Sequence, residues 1–334
     1  EVVPDSGCGS WLWEPQSTNL VTYSNNLNDA DNAASNGSST ITLNYAASPS
    51  GENDAQRLEA TSGTANGDYA LRGFTPTTPL NLDYTHSVWL KSNNGNTQNA
   101  IFYGRAVQGS QAVCVVTDQW QRFEFTGDSV TGNYFAYLGV RPEYGSDATI
   151  DVLVWGAQVE QQSYATSYIP TSGSTVTRNQ DLCTNGGTGT GLINSTEGVL
   201  YAEIAALAND LTDRDISISD GTNNNVVRIR ISRFSNNIGY AVLSNGVTTG
   251  GALVSGQTQT NTNKIAVKYK QDDFALWVNG VEVATDTSGN TPIGLSSLQF
   301  TTGNVALPLF GKTKAVAVWK EALSDSELTE LTTI

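Results

Sequence analysis

Aromatic rings stand beside polar residues at Asp118-Gln119-Trp120 and at Arg141-Pro142-Glu143-Tyr144-Gly145, and two arginines alternate with apolar residues in Val227-Arg228-Ile229-Arg230-Ile231. Aromatic faces stack on the C–H surfaces of sugars, while a guanidinium presents a fixed fork of donors to hydroxyl or carboxylate oxygens. Trp120, Arg141, Tyr144, Arg228 and Arg230 are therefore the candidate ligand-binding residues. Side chains alternate along a strand, so Arg228 and Arg230 share one face and the apolar residues the other. A solvated outer face is the plain reading of that pair; a ligand-binding or subunit-contact face is the functional one.

Covalent chemistry has little to work with. The chain has one histidine and three cysteines, which excludes a two-histidine zinc site or a multi-cysteine cluster within one chain. A Gly-x-Ser-x-Gly elbow is absent. His86 shares a strand face with Val88 and Leu90, which places it in the core as a packed residue rather than a base. Cys114, within Ala112-Val113-Cys114-Val115-Val116, reads as a buried small hydrophobe. Cys8 and Cys183 lie among glycines on either side of the first domain and are expected to pair, clamping its ends.

The elements that must position these residues are strands. Glycine (32 residues) with abundant Ser, Thr and Asn punctuates short runs of β-branched and aromatic residues, so the fold class is all-β. A chain of 334 residues suggests two domains, here two β-sandwiches in tandem. The expected division is an N-terminal arm over 1–12, a jelly-roll over 13–170, a Gly/Ser/Thr-rich linker over 171–192 and a second sandwich over 193–334. Asn279-Gly280 between apolar runs predicts a type I′ hairpin, and the Ser324/Glu327 capping box predicts a short C-terminal helix.

Charge narrows the partners. Asp plus Glu number 32 against 17 Lys plus Arg, a net charge of -15, so the summed field repels phosphate backbones and no nucleic acid is expected. Apolar runs all fall well short of the roughly 20 residues needed to cross a bilayer, so no membrane insertion is expected. Position 1 is Glu1 and methionine is absent, which suggests a processed product or an excised portion of a longer chain.

Two segments carry a family resemblance. Trp13-Glu14-Pro15-Gln16-Ser17-Thr18-Asn19-Leu20 and Trp155-Gly156-Ala157-Gln158-Val159-Glu160, continuing as Ser163-Tyr164-Ala165-Thr166-Ser167-Tyr168-Ile169-Pro170-Thr171, resemble the opening and closing signatures of one module. That module recurs in tailed-bacteriophage structural proteins and some secreted bacterial proteins, and is a jelly-roll like the galactose-binding type of carbohydrate-binding module. From about Gly198 the chain resembles a concanavalin A-like, or laminin-G-like, lectin/glucanase sandwich. The carriers are the hairpin from Phe274 to Val283 and the ending from Val318 to Leu328.

The resemblance implies a non-enzymatic virion appendage, a head or tail fibre or a capsid decoration, at the virion surface. Its partners would be host or environmental glycans, other virion proteins and further copies of itself. A secreted, extracellular bacterial carbohydrate-binding or adhesin fragment is the alternative, and a glycan-cleaving enzyme the third. Glucanases of the second type carry Glu-x-Asp-x-x-Glu on one strand, a string this chain lacks. Glu197 and Glu203 are six residues apart, about 20 Å when extended, too far for a catalytic pair. His86 departs from the first module's pattern, which has an aromatic there. Both resembled folds often hold a structural calcium, for which Glu52, Asp54 and Asp151 are the implied ligands, although no Asp-x-Asp-x-Asp-Gly loop is present.

Overall fold

The computed structural model describes residues 2–3, 9–27, 32–74, 84–105, 111–127, 135–188 and 191–334. It is built from antiparallel sheets and one short helix, in two compact units, Gln16–Asn179 and Glu1–Pro15 with Gln180–Ile334. This is the expected all-β class with a short C-terminal helix.

The ends of the units differ from the sequence reading. Strands β1 (Val2–Val3) and β2 (Ser10–Trp13) are not a separate arm: β2 pairs with a C-terminal strand, Trp11 opposite Thr313, and so extends the second sandwich. An open sheet edge accepts any extended segment through backbone hydrogen bonds, and the indole of Trp13 then packs 4.8 Å from Phe300. The segment 171–192 is likewise not a free linker. Its first part pairs back onto the first sandwich and its last part onto the second, because short Thr-rich strands can join an edge without apolar side chains.

The first unit contains β3 (Ser17–Asn19), β4 (Asn32–Ser35), β5 (Gly37–Ala46), β6 (Ala55–Ser62), β7 (Tyr69–Gly73), β8 (Tyr84–Ser92) and β9 (Gln98–Arg105). They are followed by β10 (Gln111–Val116), β11 (Gln121–Gly127), β12 (Phe135–Val140), β13 (Thr149–Glu160) and β14 (Val176–Arg178). Two five-stranded sheets, ordered β10-β9-β12-β7-β4 and β11-β8-β13-β6-β5, face each other. Alternate residues such as Leu58, Val88, Leu90, Phe102, Leu138 and Val152 fill the space between them. His86 is fully buried there, ringed by Phe74, Tyr84, Phe102 and Phe125, and burial pushes its imidazole down to about 3.

The signature residues close this sandwich. Asn19 donates to the carbonyls of Ala157 and Ile169 and accepts from the amides of Val21 and Val159. Gln158 accepts from the amide of Ile169 at 2.7 Å. Glu160, also buried, accepts five hydrogen bonds from Ser17, Gln158, Gln162 and the hydroxyl and amide of Thr166. These amides and carboxylates satisfy backbone that no sheet ladder reaches, which is the physical reason such polar strings sit in a core.

The second unit adds β15 (Gly187–Thr188), β16 (Glu197–Ala206), β17 (Arg214–Ser219), β18 (Val226–Ile231), β19 (Asn237–Ser244) and β20 (Val247–Ser255). It ends with β21 (Asn263–Lys270), β22 (Phe274–Val278), β23 (Val281–Asp286), β24 (Ser297–Gln299), β25 (Gly311–Trp319) and α1 (Asp325–Thr332). Its sheets are β1-β2-β25-β16-β21-β22-β23 and β15-β24-β17-β18-β19-β20, packed around Ile216, Ile229, Tyr240, Val267 and Leu276 among others. Asn279 and Gly280 take φ of 52° and 83°, as the predicted hairpin requires. The Ser324/Glu327 capping box forms, and Leu328 of α1 packs in a cluster with Val199, Tyr201 and Trp277 on the outer face of the first of these sheets.

Candidate functional site

The two sheets of the first unit have different outer faces. Where β5, β6, β8, β11 and β13 turn outward they show Arg57, Glu59, Lys91, Arg122, Glu124 and Asp151, an ordinary charged exterior. Outward positions of the opposite sheet are Tyr69 and Leu71 on β7, Ile101 and Tyr103 on β9, Val113 and Val115 on β10, and Tyr137 on β12. The register sets them in rows: Tyr137 lies between Tyr103 and Gly73, and Gly139 between Ile101 and Leu71. A Cβ at Gly139 would stand 2.2 Å from the carbonyl oxygen of Ala70, so the centre of the face has no side chain there.

Arg141 organises this surface. Its guanidinium carbon lies 4.2 Å from the ring centre of Tyr144, 5.3 Å from Tyr103 and 5.6 Å from Tyr69. Tyr103 is itself 5.8 Å from Tyr144 and 6.4 Å from Tyr137. The Arg141 side chain is 18% exposed and meets Glu143 at 3.3 Å. The ring quadrupoles and Glu143 hold the cation in place.

The loop carrying Arg141 is fixed by the residues after it. Asp147 receives the backbone N–H and side-chain amide of Asn99 at 2.8 and 3.2 Å and returns its own N–H to the Asn99 carbonyl. Ser146 accepts the Arg141 amide at 2.6 Å. Pro142–Tyr144 forms a single 3-10 turn closed by Gly145 at φ 92°, where a Cβ would also press on Val113 at 3.3 Å. The site is thus preorganised on a sheet and one anchored turn. Leu71, Ile101 and Tyr137 on this face are buried and the rings of Tyr69, Tyr103 and Tyr144 half-buried, so what the face offers a sugar is the accessible part of those three rings, their hydroxyls and the guanidinium.

The structure brings together Arg141 and Tyr144 of the sequence candidates. Trp120, half-buried in the turn between β10 and β11, is not among the residues contacting them. Arg228 and Arg230 project from the outer face of β18, where Arg230 makes a bidentate pair with the buried Asp215 at 2.8 and 2.9 Å. That pairing holds the Arg230 pKa above its ordinary value, while burial lowers that of Arg228.

The implied calcium ligands do not converge. Glu52 is an exposed turn residue; Asp54 accepts from Asn25 and the Trp155 indole; Asp151 is taken by Arg57, at 2.8 Å twice, and by Asn93. The hydrogen bonds from Arg57 hold the Asp151 carboxyl below its ordinary range. Among the described residues, no group of three or more His, Cys, Asp or Glu could hold a metal ion. As for the expected disulfide, Cys8 lies outside the described residues, and Cys183 carries a free thiol.

Tyr69 and Tyr103 are site residues that loop-directed reasoning passes over. The signal for them is present: Ala100-Ile101-Phe102-Tyr103 and Ala136-Tyr137-Leu138 are unbroken apolar runs, so both faces of those strands are apolar. In an antiparallel sheet with one solvated side, that pattern marks an outward face kept apolar.

No family model matches the chain, and no curated protein matches it. It is similar in structure to the CBM40 module of a Ruminococcus gnavus IT-sialidase bound to α2,3-sialyllactose, with 17% identity, 46% of this chain and 97% of that one covered, and a TM-score of 0.36. The tandem CBM22 modules of Paenibacillus barcinonensis Xyn10C match at 14% identity over 96% and 94% of the two chains, TM-score 0.31. Domains LG4-5 of the mouse laminin α1 chain match at 11% identity over 80% and 92%, TM-score 0.30. The solved structures to which this chain is similar thus include carbohydrate-binding modules, laminin G domains and a pentraxin from Limulus polyphemus.

Proposed function

We propose that the chain is a non-catalytic glycan-binding protein whose contact surface is the tyrosine face around Arg141. The observation that carries this reading is the gathering of Tyr69, Tyr103 and Tyr144 about one guanidinium on the outside of a sheet. The rings lie on the opposite face of these strands from the sandwich interior, packed on a second cluster of buried Leu71, Ile101 and Tyr137. Exposed Val113 and Val115, at 42% and 50%, extend the apolar floor beyond the rings. A shallow site of this kind binds one sugar unit weakly, with Kd of order 1 mM, about 4 kcal/mol. Repeated copies on an oligomer then raise avidity by about 10²–10⁴.

The finer reading is a virion appendage, a head or tail fibre or a capsid decoration, exposed at the virion surface. It rests on the two signature strings alone; a secreted carbohydrate-binding or adhesin fragment is the alternative. A glycan array probed with the intact chain and with Tyr103→Ala tests the binding function: signals that the variant loses support it, and no signal above background rejects it. Mass spectrometry of purified virions tests the location, and absence of the chain from them rejects the appendage reading.

A further inference from the structure

A cleft of about 340 Å³ opens on the outer face of β18, β19 and β20 in the second unit. Its floor is made of small residues. Gly239 and Gly251 lie opposite Leu253 and Ala241 respectively, and Arg228 and Arg230 lie opposite Ala241 and Gly239, so all these positions share one face. A Cβ at Gly239 would approach the Ala252 carbonyl to 2.7 Å, so a larger residue cannot close the floor there. Phe234 and Leu253, 54% and 48% exposed, form apolar walls.

The charges lining this cleft do not balance. Arg228, Arg230 and Arg233 face two aspartates, Asp213 and Asp215. Asp215 is wholly buried and its two oxygens are bound by Arg230. One oxygen of Asp213 accepts the Arg233 amide at 2.7 Å and the other lies 3.5 Å from Arg230. Arg228 comes within 3.6 Å of acid at Nη1, toward an Asp215 oxygen that Arg230 already occupies. Its guanidinium donates no hydrogen bond among the described residues, although the side chain is only 18% exposed. A half-buried guanidinium with free donors at a cleft is a place for an anion, and it stands out in a chain of net charge -15.

We infer that this cleft binds the carboxylate of a uronic acid residue in an acidic glycan. Arg228 takes the carboxylate, the Gly239–Ala241–Gly251 floor takes the ring, and Leu253 and Phe234 flank its C–H edges. The site is independent of the tyrosine face, and it reads a charge where that face reads a ring.

The test is calorimetric titration of the whole chain with oligogalacturonate, with a neutral galactose oligomer and with a glutamate-rich peptide, at two salt concentrations. Oligogalacturonate is expected to bind at the cleft, more weakly at high salt, and Arg228→Gln is expected to lower its affinity about 10-fold to 100-fold while leaving any binding of the neutral oligomer unchanged. Ala241→Leu fills the floor from outside the core and is expected to abolish binding with Arg228 intact, which decides the matter if Arg228→Gln fails to fold. Tyr103→Ala is expected to leave this binding unchanged. Neutral-oligomer or peptide binding that Arg228→Gln lowers as much as it lowers oligogalacturonate binding, oligogalacturonate binding that survives both cleft variants, or oligogalacturonate binding lost in Tyr103→Ala overturns the inference.

Discussion

Replacing Glu160 separates what its charge does from what its shape does. Oε1 accepts from Ser17 Oγ at 2.5 Å, Thr166 Oγ1 at 2.5 Å and Gln162 Nε2 at 3.1 Å, and Oε2 accepts from Gln158 Nε2 at 2.7 Å and the Thr166 amide at 2.9 Å. In Glu160→Gln the amide can keep its oxygen at the Oε2 position and turn its NH2 toward two hydroxyls, both of which can rotate to accept. The half-buried Gln162 and the Ser17 hydroxyl then lose an acceptor, while the Thr166 hydroxyl keeps the Ser167 carbonyl, so the cost is about 1–3 kcal/mol. In Glu160→Ala the buried Ser17 hydroxyl and Thr166 amide are both orphaned, at about 1–3 kcal/mol each, and a cavity is left, for a total of roughly 3–5 kcal/mol. Urea unfolding of the intact chain gives the stabilities, and hydrogen exchange read by mass spectrometry on peptides covering residues 155–171 locates the effect at the Thr166 and Ile169 amides. Equal losses for the two variants, or exchange unchanged in that segment, would refute the account of this polar string as the closure of the sandwich.

Two further outcomes follow from local physics. Burial lowers His86 to about 3 in the folded chain against an ordinary 6.5, so the unfolded chain takes up the proton first. Stability is therefore full above pH 6.5 and falls as pH drops toward 3, by up to about 1.4 kcal/mol per pH unit. His86→Phe should flatten urea midpoints between pH 6 and 4, and an unchanged slope would place the acid sensitivity elsewhere. Gly280 sits at φ 83° with a Cβ position 3.0 Å from Thr333 Oγ1, so Gly280→Val should cost about 1–3 kcal/mol by thermal unfolding, where a neutral result would contradict the I′ turn.

How much of this was legible in the sequence depended on whether the signal was local. Strand alternation in Tyr84–Ser92 gives the inner face of His86, Val88 and Leu90, and the hairpin at Asn279-Gly280 and the capping box at Ser324/Glu327 depend only on neighbours in the chain. The strand Ser10–Trp13 was not readable as part of the second sandwich, because its partner lies some 300 positions away and the pairing uses backbone groups common to every residue. The same limit applies to the candidate site. Arg141 and Tyr144 are visible as a turn, whereas Tyr69 and Tyr103 join them only through the β7-β12-β9 order of the sheet. Asp151 shows the converse: a carboxylate on a strand is open to a metal in sequence, and the cross-strand register puts Arg57 beside it, two positions from its paired Glu59.

The most direct test of the central claim is a glycan array read with the whole chain, Tyr103→Ala, Arg141→Lys and Arg228→Gln in parallel. Arg141→Lys keeps the charge and loses the planar fork that lies against three rings, so it should weaken the sugar signals of the tyrosine face by about 10-fold, and Tyr103→Ala should remove them. Arg228→Gln should leave those signals intact. Glycan signals that persist unchanged in both Tyr103→Ala and Arg141→Lys would contradict the assignment of this face as the binding surface.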